Sequence, residues 1–199
     1  EVIDTYSDVA HHAVEVEGGG TRFGSGEAMI EKIDLLGPSG EPTSLVNTGD
    51  AVRLRLHYRA KERITAPVFG VSIDTREGIF VWGLHGVDAC YVPTSIEPGT
   101  GHLDVNIPRL ALNPGSYTIS AAIQNHDMTS VIDALQKARR FDVLPGPGME
   151  SGGIITLGAS FSGLSPERPM RDIARRGAAD FQRLARMQAQ QADALGAED

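Results

Sequence analysis

The 199 residues carry 18 Lys and Arg against 26 Asp and Glu, a formal net charge of −8. An acidic chain without a Lys/Arg-rich run repels phosphate backbones, which excludes nucleic acid as a natural partner and counts against docking on anionic lipid. With 41% hydrophobic residues it can bury one core, yet no apolar run approaches the roughly 18 residues of a membrane span, and no signal-like segment opens it.

Along the chain, Glu1 to about Arg22 reads as a linker ending in Gly18-Gly19-Gly20. From there to residue 158, short β-favouring runs alternate with Gly, Pro, Asn and Asp clusters, the pattern of an all-β sandwich or barrel with about eight strands. Residues 27–36 supply an opening strand. Over 51–60, Val52, Leu54, Leu56 and Tyr58 alternate with Arg53, Arg55, His57 and Arg59, which places an apolar face against a basic one. Residues 67–74 carry Phe69, Val71 and Ile73 on one face and Ser72 and Asp74 on the other; residues 75–78 then turn the chain into a strand over 79–84.

Cys90 can form no internal disulfide, which agrees with a reducing compartment, and it reads as a small semi-buried hydrophobe. Further strands follow over 101–108 and over 115–124, where Tyr117, Ile119, Ala121 and Ile123 share one face. The spacing of Val131 and Leu135 predicts a helical turn over 130–135 before a strand over 137–144, and a short strand from Ile154 to Leu157 closes the series. Four Pro-Gly dipeptides punctuate these runs as turns. Over 166–195, Met170, Ile173, Gly177, Phe181, Leu184 and Met187 recur at spacings of three and four, which predicts a C-terminal amphipathic helix in a 159–199 extension.

No phosphate loop, nucleophile elbow or paired-cysteine metal spacing occurs, and the six histidines form no compact ligand cluster, so the sequence calls for no cofactor and no metal. Sugar recognition needs an aromatic or apolar platform ringed by amides, carboxylates and hydroxyls. Trp82 fills the first role if Val81 faces inward; the alternative puts Trp82 in the core with Phe80. Ser72 and Asp74, His85, Ser120 and Gln124, and Arg140 project outward from neighbouring runs, and Asn125 opens a loop at their rim. Together they make a candidate saccharide surface, against the plainer reading of a solvated face. The stripe Arg53, Arg55, His57 and Arg59 is a second, basic face, for an anionic sugar, solvent or a dimer contact.

The ordered series Ile33-Asp34-Leu35-Leu36, Asn47-Thr48-Gly49-Asp50, Ala66-Pro67-Val68-Phe69-Gly70-Val71-Ser72-Ile73, Leu112-Asn113-Pro114-Gly115-Ser116-Tyr117 and Ala138-Arg139-Arg140-Phe141-Asp142-Val143 resembles the C-terminal domain of the ATPase subunit (Wzt) of bacterial O-antigen polysaccharide ABC exporters. It covers about residues 23–158. The resemblance implies a non-catalytic, immunoglobulin-like antiparallel sandwich that binds the terminal region of a finished O-polysaccharide. It further implies coupling to export through an ATPase domain missing from this chain, joined to the transmembrane exporter subunit on the cytoplasmic side of the inner membrane. A homodimer in which the strand from Ile154 to Leu157 crosses to the partner is also implied, and Pro145-Gly146-Pro147-Gly148 is a connector stiff enough to direct it. Two other readings stand beside this one: a purely structural dimerisation module, and a glycan-processing enzyme with two converging carboxylates.

Overall fold

Alternation decides most of the strands. The computed structural model describes residues 14–16, 20–160 and 162. Twelve strands run through them: β1 (Val14–Val16), β2 (Gly20–Phe23), β3 (Ala28–Leu36), β4 (Leu45–Asn47), β5 (Val52–Ala60), β6 (Ile64–Thr65), β7 (Val68–Thr75), β8 (Phe80–His85), β9 (Ser95–Ile96), β10 (Gly99–Ile107), β11 (Gly115–Gln124) and β12 (Val131–Leu144). The larger sheet has the order β1-β2-β12-β11-β7-β8, with β4 lying parallel to the end of β12; the smaller is β10-β5-β3, and β6 pairs with β9. All other pairings are antiparallel. The result is the all-β, immunoglobulin-like sandwich expected from the sequence.

Val52, Leu54 and Leu56 from β5, Phe69, Val71 and Ile73 from β7, and Tyr117, Ile119 and Ile123 from β11 are buried between the two main sheets. These are the inward sets that period-two patterning predicts. The Tyr58 and Phe69 rings meet across the sheets at 5.6 Å between centroids, and Tyr117 stacks on Phe141 at the same distance.

One tie between the sheets is polar. Asp133 on β12 is 2% exposed and points at β3, where its Oδ2 accepts from the Ile30 backbone N–H at 2.7 Å; the Arg22 guanidinium lies 3.7 Å away and also donates to the Ile30 carbonyl. Ile30 sits at an irregularity in the β3–β5 ladder, so its N–H would otherwise be buried without a partner. Burial pushes the Asp133 carboxyl above the ordinary range, against the opposing pull of Ile30 N–H and Arg22.

Four expectations change. The predicted linker up to Arg22 contains β1 and β2, and β2 pairs with β12 through Ala134↔Phe23, so the sandwich begins before residue 23. This strand is held by ladder bonds and Arg22 and has no apolar alternation to announce it. The predicted helical turn over 130–135 is the first half of β12, which carries two irregularities opposite β11. Those irregularities bury Ile132, Asp133, Ala134 and Leu135 in succession, and burial on both faces mimics helical spacing. Cys90 is exposed and lies in the left-handed region at φ 52°.

The expected strand from Ile154 to Leu157 is reduced to a single bridge, Leu112↔Ile155, flanked by Asn113 N–H to Ile154 O at 2.8 Å and Thr156 N–H to Ala111 O at 2.9 Å. Within this chain it therefore lies on its own sandwich. Asn113 anchors it: Nδ2 donates to the Gly152, Gly153 and Ile155 carbonyls at 2.9, 3.2 and 3.3 Å, and Oδ1 accepts from Glu150 N–H at 3.3 Å. The predicted helix over 166–195 lies outside the described residues.

Candidate functional site

Residues directly opposite in an antiparallel pair share a face, so register decides which side chains meet on the outer surface of β8-β7-β11-β12. One row across it runs Phe80, Asp74, Thr118, Arg140; the next places Gly83, Ser72 and Ser120 side by side; the third runs His85, Gly70, Ala122, Ala134, with Gln124 one pair further along β11. At about 4.8 Å between strands, the two four-residue rows are roughly 14 Å long and the middle one roughly 10 Å.

Six of the sequence candidates, Ser72, Asp74, His85, Ser120, Gln124 and Arg140, thus come together on one face. Their side chains differ in what remains free. Ser72 Oγ donates to Asp74 Oδ2 at 3.4 Å, and Ser120 Oγ accepts from the Lys137 N–H at 3.0 Å, where β12 bulges away from β11. Thr118, 4% exposed between Asp74 and Arg140, has an Oγ1 with no hydrogen-bond partner, and Gln124 Oε1 likewise has none. Each such group costs about 1–3 kcal/mol relative to a satisfied one. Arg140 is exposed and open to a ligand.

Two candidates are placed elsewhere. A register shift between Ile73 and Asp74 pairs Trp82 with Ile73 and Phe80 with Asp74, so Val81 and Trp82 both rest half-buried on the core, while Phe80 turns outward at 65% exposed. The aromatic platform on this face is therefore Phe80, a residue outside the candidate set. Its ring lies across Gly83: a Cβ at that position would stand 2.9 Å from Phe80 Cζ. Asn125 is consumed by its own loop, with Nδ2 donating to Thr129 Oγ1 at 3.1 Å and Ser130 Oγ at 2.9 Å, and Oδ1 accepting from Ser130 N–H at 3.1 Å. Asp127 in the same loop accepts from the Thr129 hydroxyl and N–H, which hold its carboxyl below the ordinary range.

The basic stripe on β5 is not a free cationic face. Arg55 binds Asp104 through Nε and Nη2 at 2.7 and 2.8 Å, and Arg53 lies 3.6 Å from Asp104 and donates to Asn106. Arg59 meets Glu31 at 2.6 Å, and His57 Nε2 lies 3.0 Å from Asp34 Oδ2, while Lys32 contacts Asp34 Oδ1 at 2.8 Å. Burial works to raise the Asp34 carboxyl, but Lys32 and then His57 outweigh it and hold the group below the usual range. The acids come from β3 and β10 on either side of β5, which only the register reveals. Among the described residues, no three His, Cys, Asp or Glu side chains are grouped to hold a metal ion, and no helix is long and apolar enough to cross a membrane.

Among curated proteins no sequence matches the chain. The sequence profile of the Wzt C-terminal domain, however, matches residues 20–157. The chain belongs to the Wzt C-terminal domain family. A crystal structure of the C-terminal domain of Wzt superposes with a TM-score of 0.65 at 21% identity, covering 79% of this chain and 96% of that one, and so shows the same fold. Weaker likenesses, to a β-glucuronidase of Bacteroides uniformis (TM-score 0.40, 11% identity, 55% of this chain and 14% of that one) and a Niemann-Pick type C2 protein of the Japanese carpenter ant (0.42, 11%, 62% and 96%), carry no argument. The Wzt match extends upstream to Gly20, in keeping with the strand β2 found there. It supports the O-antigen exporter context that the sequence resemblance implied.

Proposed function

We propose that this Wzt C-terminal domain is a non-catalytic module that recognises the terminal region of an O-polysaccharide on the outer face of β8-β7-β11-β12. The observation that carries the reading is a contrast between faces. On the smaller sheet Arg53, Arg55, His57 and Arg59 are all matched by acids or an amide from β3 and β10, whereas on the larger sheet Arg140 stands open beside the unpartnered Thr118 hydroxyl. Phe80 offers an apolar face for the C–H surface of a pyranose, Asp74 and Gln124 accept from hydroxyls, and Arg140 donates. Recognition at this face couples to export through an ATPase domain, at the cytoplasmic side of the inner membrane, where that subunit meets the transmembrane exporter.

The test is an NMR titration of the isotopically labelled domain with oligosaccharides from the end and from the interior of the native glycan. End-bearing probes shift amides of β7, β11 and β12 with micromolar to millimolar affinity, about −8 to −4 kcal/mol, and interior probes do not. If neither class perturbs that face, the reading fails.

A specific observation also favours dimerisation as part of the function. Leu144, Ile155 and Leu157 are exposed apolar residues on the terminal strand of the larger sheet and the segment after it, with Leu157 at 78%. In the dimer proposed here, Ile154 to Leu157 makes its Leu112 and Asn113 contacts on the partner copy in place of its own, and the exposed side chains of this segment lie at the junction between the copies. Sedimentation of the domain with and without residues 149–158 tests this, since the exchange requires dimers that the deletion abolishes.

A further inference from the structure

At the edges β8 and β10, which pair with β7 and β5 on one side only, the two sheets part and leave a cleft of about 250 Å³. Its floor is the core side chains Leu56, Phe69 and Val71, and its walls are Leu84, Leu103 and Val105, half-buried. The chain after β8 folds over one end. Gly86 N–H donates to Phe69 O and Tyr91 N–H to Gly86 O, both at 2.8 Å, and Ala89 N–H returns to His85 O at 3.1 Å. This fold requires a glycine, because a Cβ on residue 86 would come within 2.5 Å of Tyr91 O. Tyr91, 59% exposed, lines the cleft together with His85.

We propose that this cleft takes a single 6-deoxyhexose residue, its methyl group inward and its ring against Tyr91. The inference rests on the carbohydrate reading above and adds a second subsite to it. Size restricts the occupant, since the cleft is below the ~300–1,000 Å³ of sites that enclose drug-sized ligands and suits one ring. Chemistry restricts it further. An apolar floor leaves an inward hydroxyl unsatisfied, which selects a sugar edge carrying a methyl in its place. Of the polar residues that line the cleft, Asp104 and Asn106 are engaged by Arg55 and Arg53, which leaves His85 and Tyr91 to meet outward hydroxyls. His85 is also the link between sites, because it lies opposite Gly70 in the third row of the outer face.

Matched methyl glycosides that differ only at C6, L-rhamnoside against L-mannoside and L-fucoside against L-galactoside, are titrated into the labelled domain and followed by amide shifts. A 6-deoxy probe shifts residues 84–91 and 103–106 and binds about ten- to a hundredfold more tightly than its hexose partner, the range an apolar pocket achieves against an added hydroxyl. Tyr91→Ala, at an exposed position, weakens the 6-deoxy sugar about tenfold with the fold intact, Leu103→Phe fills the cleft and removes those shifts, and Phe80→Ala leaves them in place. Equal binding of both members of each pair, no shift at these residues, or shifts that survive Leu103→Phe overturns the proposal. Shifts confined to β7, β11 and β12 overturn the cleft alone and leave the carbohydrate reading standing.

Discussion

Phe80 lies across Gly83, one strand away from Asp74, on the only outward aromatic surface of the β8-β7-β11-β12 face among the described residues. Trp82, two residues on, lies on the opposite side of the same strand with its indole against the core. The two therefore separate binding from stability. Phe80→Ala weakens the glycan terminus about tenfold and leaves stability within about 0.5 kcal/mol, because little of its ring is buried. Trp82→Ala costs roughly 2–3 kcal/mol, less than a fully buried tryptophan, and does not alter affinity once folding is matched. Calorimetric titration and urea denaturation of both variants check the pair, and loss of binding in Trp82→Ala alone would move the platform back to the tryptophan.

The reason this division escaped the sequence is physical. Strands β5 and β11 keep one parity throughout, so Leu54, Leu56, Ile119 and Ile123 could be placed inward and Ser120 and Gln124 outward from alternation alone. Strand β8 changes parity at Val81, and nothing in Phe80-Val81-Trp82 marks the irregularity, which exists only relative to β7. The same holds for the first half of β12 and for the pairing of Arg55, whose acid partner lies 49 residues away in sequence. The engagement of Asn125 has the opposite origin: its loop is short enough for the amide to close on itself, an Asx-type device that competes with ligand binding.

Arg55 and Asp104 form a bidentate pair on the smaller sheet, half-open to solvent. A double-mutant cycle of Arg55→Ala and Asp104→Ala gives a coupling of about 1 kcal/mol, reduced by salt, with no change in glycan affinity. The Arg55 hydrogen bonds are the main cause holding the Asp104 carboxyl below its ordinary range. A folded value below the unfolded one means that this contribution is present above about pH 3.9 and is lost as pH falls through the folded value. Urea midpoints of Arg55→Ala therefore fall less on acidification than those of the parent, and parallel curves would show that the pair adds nothing.

Asp133 predicts the reverse slope. Burial is the main cause that raises its carboxyl, with Ile30 N–H and Arg22 pulling the other way. A folded value above the unfolded one contributes stability that is complete below about pH 3.9 and is lost as pH rises through the raised value. Asp133→Asn keeps an oxygen to accept from Ile30 N–H but does not titrate. Its stability relative to the parent accordingly improves between about pH 3 and about pH 7, read as the difference in urea midpoints, and a difference that is flat or declines with pH contradicts the burial account.

Asn113 supplies the last test, because one buried side-chain amide holds the whole segment from Glu150 to Ile155 by four hydrogen bonds while the neighbouring Tyr117 hydroxyl donates to the Asn113 backbone carbonyl at 2.7 Å. Asn113→Ala strands the Gly152 and Ile155 carbonyls and costs about 1–3 kcal/mol. Hydrogen exchange localises the effect: protection of Ile154 and Thr156 amides falls before that of β11, since local opening needs less energy than global unfolding. The proposed strand exchange adds a concentration dependence. If the segment docks on a partner copy through the same asparagine, Asn113→Ala raises the dimer dissociation constant by about ten- to a hundredfold, the equivalent of roughly 1.4–2.8 kcal/mol; if it docks only in cis, the constant does not move.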